Sequence, residues 1–175
     1  MKKRLFILDV VIASVLGTLL HFIYDWTGQN SVAAIFGAVN ESVWEHLKLL
    51  FWPVALLTIV EYFLYFKDSK NFILSRFIGL FVGIMTIVTV FYTVFGILGR
   101  DLAWFNILLY YIAVFVTFIT SRVLRKNGEL SFRYSNAIGA VLFIILAIIF
   151  GIFSFNPPEN VGIFKEPLSC IFSQK

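Results

Sequence analysis

The chain has 175 residues, of which 60% are hydrophobic and only 14% are charged. A soluble globular domain of this length has too little interior to shield so much apolar surface from water, so the composition excludes that class. The formal net charge of +4 comes from basic residues whose positions indicate how the chain is oriented in a membrane. It therefore gives no indication of a nucleic-acid partner.

Five apolar windows are long enough to cross a hydrocarbon layer about 30 Å thick at about 1.5 Å per residue. They lack the alternation of apolar and polar residues that a barrel strand needs, so they predict helices. We therefore expect an all-α integral membrane protein, a bundle of five transmembrane helices in residues 1–155, followed by an extracytoplasmic tail in residues 156–175. The predicted helices cover residues 5–24, 49–66 with a polar start at 40–48, 77–98, 102–121 and 137–155.

The connection between the first two predicted helices is itself partly apolar. The first helix ends near Trp26, an aromatic anchor of the kind found at membrane boundaries. Residues 31–39 are mostly apolar but too few to span, so they indicate a short interfacial or re-entrant segment. The second helix contains Pro53, which lacks a backbone donor and should leave a carbonyl free near Leu49.

The third predicted helix carries Gly79 and Gly83, a small-xxx-small pattern that lets helices approach closely. We interpret it as packing within the bundle. Two carboxylates also lie inside predicted helices. Asp9 should pair with a basic residue at the cytoplasmic edge, and Glu61 should reach Lys67 or Arg76.

The distribution of basic residues predicts an orientation. Four of the fourteen fall on the predicted side opposite to the N-terminus, namely Lys48, Arg100, Lys165 and Lys175. The other ten share the side of the N-terminus, which favours N-in and C-out because cytoplasmic loops carry the excess of Lys and Arg. These ten are Lys2, Lys3, Arg4, Lys67, Lys70, Arg76, Arg122, Arg125, Lys126 and Arg133.

Polar chemistry is concentrated at the predicted outer boundary. Counted from the cytoplasmic helix ends at about 1.5 Å per residue, His21 lies about 25 Å along the first helix and Glu45 about 33 Å along the second. Consecutive helices with a short connection usually neighbour one another, so the two sets of polar residues should meet. The candidate ligand-binding residues are His21, Asp25, Asn40, Glu41, Ser42, Glu45, His46 and Lys48.

A metal site is one interpretation of this cluster. His21, Asp25 and His46 form a mixed nitrogen and oxygen set that suits a divalent metal such as zinc, and Glu41 or Glu45 is then a candidate catalytic base. A purely structural interpretation is also open. Ser42 and Glu45 fit a capping box, carboxylates at a helix start complement the helix dipole, and Lys48 can pair with Glu45.

Three functions therefore stay open, and the sequence does not identify the cofactor or the oligomeric state. The first is a site for a small polar or ionic ligand that faces outward. The second is a metal-dependent membrane hydrolase or transferase that acts on a lipid-linked substrate. The third is an accessory subunit of a membrane complex.

Three motifs carry a family resemblance: His21-Phe-x-Tyr-Asp25-Trp26, Asn40-Glu-Ser-Val-Trp-Glu-His-Leu-Lys48 and Phe51-Trp-Pro53. With them, the chain resembles a family of small bacterial polytopic membrane proteins known only as a domain of unknown function. The likeness covers most of the chain. It implies a multi-pass protein of the bacterial cytoplasmic membrane, surrounded by lipid, with an outward polar motif and no established activity.

Overall fold

The computed structural model describes residues 2–158 and 160–167, and this part of the chain contains helices and no strand. Five of the α-helices in this part are long and apolar enough to cross a membrane. Residues 159 and 168–175 of the predicted tail lie outside the described residues. The helices are α1 (Lys2–Trp26), α2 (Ser31–Phe36), α3 (Val43–Glu61, continued by a π-helical turn over Tyr62–Phe66), α4 (Phe72–Leu98), α5 (Ala103–Asn127) and α6 (Ser135–Phe155).

Each predicted spanning segment coincides with a helix, but several helices extend beyond the apolar window. α4 begins at Phe72 rather than at residue 77, and α5 continues to Asn127 rather than ending at 121. On α5 the extension includes Lys126, an exposed residue whose long stem can lie along apolar surface while its charge reaches a polar region. α5 ends where Gly128 adopts a left-handed backbone with φ of 75°, a conformation that glycine adopts without strain.

The centre of the bundle is the close pairing of α4 with α5. A Cβ atom at Gly79 would overlap the backbone carbonyl of Thr117 and the side chain of Ser121, and one at Gly83 would overlap the Thr117 hydroxyl. Both glycines therefore let the two helix backbones approach closely, and the predicted intramolecular role of the small-xxx-small pattern is confirmed.

α1 joins this core through α3 and α5. The Tyr110 hydroxyl of α5 donates to the Ala13 carbonyl at 3.0 Å and contacts the Leu49 carbonyl at 3.4 Å. Leu49 lies four residues before Pro53, so its carbonyl is the one that the missing proline N–H leaves free. Gly17 gives the tyrosine room, since a Cβ atom there would overlap both the phenol ring and the Leu49 carbonyl.

Large apolar side chains cover the outside of the bundle. On α6, for example, Ile144, Ile148 and Ile152 are each more than half exposed. On α1, Ile7, Val11 and Val15 are exposed to a similar degree. Water-soluble monomers rarely expose apolar surface that is continuous over whole helices, so this surface fits a lipid environment.

Candidate functional site

The start of α3 determines where the polar residues point. Ser42 is the N-cap, and its hydroxyl accepts a hydrogen bond from the Glu45 N–H at 3.4 Å. The Asn40 side chain in turn accepts from the Ser42 N–H at 3.0 Å. The chain before Val43 is therefore a fixed turn rather than helix. Glu41 lies in this turn and therefore does not share a helix face with Glu45.

Glu41 instead lies between the two histidines. One of its carboxylate oxygens, Oε2, is 3.5 Å from His46 Nε2 and 3.9 Å from His21 Nε2. The two imidazole rings are 5.2 Å apart, with an edge-to-face angle of 86°. The proximity of the first and second predicted helices at their polar ends is thus confirmed. Each of the three residues offers one ligand atom, and all three atoms lie within 4.8 Å of one another. We call these three residues the histidine–glutamate triad.

The hydrogen bonds of His46 define its tautomer. Its Nδ1 is 2.9 Å from the backbone carbonyl oxygen of Ser42. A carbonyl oxygen can only accept, so Nδ1 carries the proton that is donated. In the neutral ring the lone pair then lies on Nε2, the atom that faces Glu41. A histidine that ligates a metal usually donates its other N–H to an acceptor of this kind.

The triad is open to its surroundings. The Glu41 side chain is 54% exposed, and those of His21 and His46 are about one third exposed. Glu41 and His46 also line a cavity of about 50 Å³ that extends toward α4 and α5, where Asp101, Asn106 and Tyr110 contribute to its wall. Such a volume holds more than one water molecule, so an ion and its remaining water ligands fit at this place.

Glu45 and Lys48 lie inside the protein and not in this cavity. Lys48 Nζ is 2.6 Å from Glu45 Oε2, and both side chains are at most 5% exposed. The same ammonium donates to the Ala34 carbonyl at 2.7 Å and to the Ser154 hydroxyl at 2.9 Å. The predicted pairing of Glu45 with Lys48 is confirmed, and it joins α3 to α2 and α6.

This buried pair also positions the turn that carries Glu41. Glu45 Oε2 accepts a hydrogen bond from the Val39 N–H at 2.8 Å. Lys48 and the Trp52 indole, which donates to the Ile35 carbonyl at 2.8 Å, pair with carbonyl groups at the end of α2. Carbonyls at a helix C-terminus need such partners because the helix itself supplies none. Glu45 and Lys48 are therefore positioning residues for the triad.

Asp25, the third metal ligand expected from the sequence, lies on the exposed surface near the end of α1. It does not belong to the group whose ligand atoms converge, and Glu41 occupies that place instead. Asn40 and Ser42 act in the described structure through their hydrogen bonds within the turn. Their expected direct contact with a ligand stays a prediction.

A second ionic cluster was only partly predicted. Arg76 donates to both Asp9 and Glu61, and all three side chains are at most 10% exposed. The sequence placed Asp9 and Glu61 separately near the membrane edge. It could not show that α4 begins five residues early and carries Arg76 into the bundle. The available signal was the presence of two lone carboxylates inside apolar helices, which need a partner.

Comparisons with known proteins give the family and no activity. No curated protein and no solved structure matches the chain. The model of a family described as "Family of unknown function (DUF6512)" matches residues 1–172. This match spans nearly the whole chain, including both motifs that form the triad, and the chain therefore belongs to the DUF6512 family of unknown function.

Proposed function

We propose that this protein is a multi-pass integral membrane protein that binds a divalent transition-metal ion, with zinc the best fit, at His21, Glu41 and His46. The convergence of three ligand atoms within 4.8 Å carries the proposal. The His46 tautomer supports it, because the Nε2 lone pair already faces the common point.

The two distances from Glu41 to the histidines are close to those of a zinc site. Tetrahedral zinc with bonds of about 2.0–2.1 Å holds its ligand atoms about 3.3 Å apart. The Glu41–His46 distance of 3.5 Å is already close to this value, and the Glu41–His21 distance of 3.9 Å needs a small side-chain rotation. Two imidazoles with one carboxylate are also a ligand set that zinc uses in proteins.

The proposed location is the bacterial cytoplasmic membrane with the N-terminus in the cytoplasm. Five helices of spanning length and an apolar exterior support the membrane, and the excess of basic residues at the N-terminal side supports the orientation. In this orientation the triad faces the outer side, so the ion is taken from outside the cell. Lys48 is one of the basic residues assigned to the outer side. Its charge is neutralised by the buried pair with Glu45, so it does not contradict this orientation.

Metal analysis of the purified full-length protein in mild detergent tests the proposal. We expect about one zinc per chain, and Co²⁺ in its place should give the visible absorption of a tetrahedral site. His21→Ala, Glu41→Gln and His46→Ala should each weaken zinc binding at least about tenfold. Glu129→Gln, an exposed glutamate on the loop after α5, is the matched control and should bind normally. Wild-type protein that binds no zinc, or triad variants that bind as tightly as wild type, would refute the proposal.

A metal-dependent hydrolase is the second candidate. Three protein ligands leave one position of a tetrahedral ion for water, the arrangement of catalytic rather than structural zinc sites. Of the two bases expected from the sequence, Glu45 is engaged with Lys48 and Glu41 is a ligand. Asp101, which lines the adjoining cavity, is then the remaining carboxylate for the role of base.

Release of water-soluble head groups from a bacterial lipid extract, followed by mass spectrometry, tests this second function. The zinc-loaded wild-type protein should release a product. The Asp101→Asn variant should still bind one zinc per chain but release no product. Equal release by both proteins, or by neither, would leave metal binding as the function.

A further inference from the structure

We propose that Asp9 and Glu61 form a second, separate site that binds one exchangeable proton in the half of the bundle opposite to the histidine–glutamate triad. The site does not depend on the metal. Its components come from α1, α3 and α4 around Arg76, with α5 completing the wall.

Both carboxyl groups use the same nitrogen of the guanidinium group. Asp9 Oδ2 is 3.5 Å from Arg76 Nη2, and Glu61 Oε2 contacts that nitrogen more closely. Both carboxyl groups are therefore held at one guanidinium nitrogen. Two carboxylates that share one site repel each other, and a proton on one of them removes that repulsion. The geometry therefore favours one proton held by the pair.

Burial strengthens this preference. The side chains of Asp9, Glu61 and Arg76 are 10%, 5% and 5% exposed. Arg76 is further enclosed by aromatic rings, since its guanidinium carbon lies 5.2 Å from the centre of the Phe72 ring and 4.6 Å from that of Phe118. Without access to bulk water, a second unneutralised carboxylate is costly, and protonation removes that cost.

Among the described residues, the other charged groups that line the cavity beside the pair come from α5. Arg122 and Arg125 line the same cavity as Asp9 and Glu61. Their guanidinium groups lie against aromatic rings, 5.6 Å from the centre of Phe6 for Arg122 and 4.2 Å from that of Phe66 for Arg125. These two cations favour the ionised form of both carboxyl groups. Burial and the repulsion between the two carboxylates favour the protonated form. The balance of the two makes the proton exchangeable rather than permanent.

The cavity supplies an exchange route. It measures about 20 Å³, enough for one water molecule. Arg76 lines it, and Arg76 Nε is a buried donor with no hydrogen-bond partner among the described residues. A water molecule in this cavity would accept from Nε and contact the carboxyl pair. It would thereby connect the shared proton with Arg122 on α5, a cavity-lining residue that is only partly buried.

Infrared difference spectroscopy of the full-length protein in mild detergent tests the proposal. Spectra are compared between pH 5 and pH 9, the general range in which buried carboxyl groups titrate. We expect a C=O stretching band of a protonated buried carboxyl that shifts in D₂O, because the proton exchanges. Glu61→Gln and Asp9→Asn should each abolish the titrating band. Asp68→Asn, an exposed carboxylate in the loop before α4, is the matched control and should leave it unchanged.

Isotope labelling gives the same answer without any substitution. Carboxyl-¹³C aspartate or glutamate incorporated into wild-type protein should shift this band, which assigns it even if Glu61→Gln does not fold. The same measurement on His21→Ala should show an unchanged band, which separates this site from the metal site. No protonated-carboxyl band at any pH, or a band that neither label shifts, would overturn the proposal.

Discussion

Replacing Lys48 with methionine tests the most deeply buried charge of the site. Methionine fills a similar volume but removes the ammonium and its contacts with Glu45, Ala34 and Ser154. The Glu45 carboxylate, in a side chain only 5% exposed, then keeps its hydrogen bond from the Val39 N–H but loses the neighbouring cation. Removal of one member of a buried ion pair costs about 3–5 kcal/mol, because the other charge stays buried without compensation. We expect the free energy of unfolding to fall by this amount.

A double-mutant cycle shows whether the pair itself is responsible. Glu45→Gln removes the opposite charge and keeps a carbonyl oxygen for the Val39 N–H. The double variant Lys48→Met/Glu45→Gln should therefore be less destabilised than the sum of the single variants, with a coupling of about 0.5–3 kcal/mol.

Equilibrium unfolding in mixed SDS micelles, followed by tryptophan fluorescence, is the assay for this cycle. Trp52 is a local reporter because its indole donates to the end of α2 next to the Lys48 contact. Lys70→Met, an exposed lysine in the loop before α4, is the control and should change stability by less than about 0.5 kcal/mol. A loss below about 1 kcal/mol for Lys48→Met, or strictly additive single variants, would refute the reasoning.

Three further predictions use matched pairs in the same unfolding or zinc-binding assays. Gly79→Ala should destabilise the protein by about 1–3 kcal/mol because its Cβ would overlap α5. Gly96 has open space around it, so Gly96→Ala should be neutral or stabilising by up to about 1 kcal/mol. Equal effects of the two substitutions would contradict this packing. Tyr110→Phe should cost about 1–3 kcal/mol by leaving backbone carbonyls unpaired, and Tyr111→Phe, 40% exposed, should cost clearly less. Asp25→Asn should leave zinc affinity nearly unchanged, and a loss of about tenfold would return Asp25 to the ligand set.

The sequence alone was sufficient to predict the helices. It also predicted that the polar residues at the ends of the first two spanning helices meet. The number of spanning segments follows from the lengths of apolar runs, which are local properties of the chain. Matched depth along two consecutive helices was enough to bring His21 near His46, and the structure places their rings 5.2 Å apart. The Ser42 cap was also predictable, because its spacing to Glu45 is a local signal.

The roles of the individual carboxylates were decided only by the tertiary structure. Glu41 and Glu45 are equivalent in a helical pattern, yet the cap turn leaves Glu41 between the histidines and directs Glu45 to Lys48. Asp9 and Glu61 likewise appeared independent until the packing of α1, α3 and α4 brought both to Arg76. Which charges meet depends on helix rotation and on the residue where each helix begins. Both are determined by side-chain packing between segments that are distant in the sequence, and hydrophobic periodicity does not encode them.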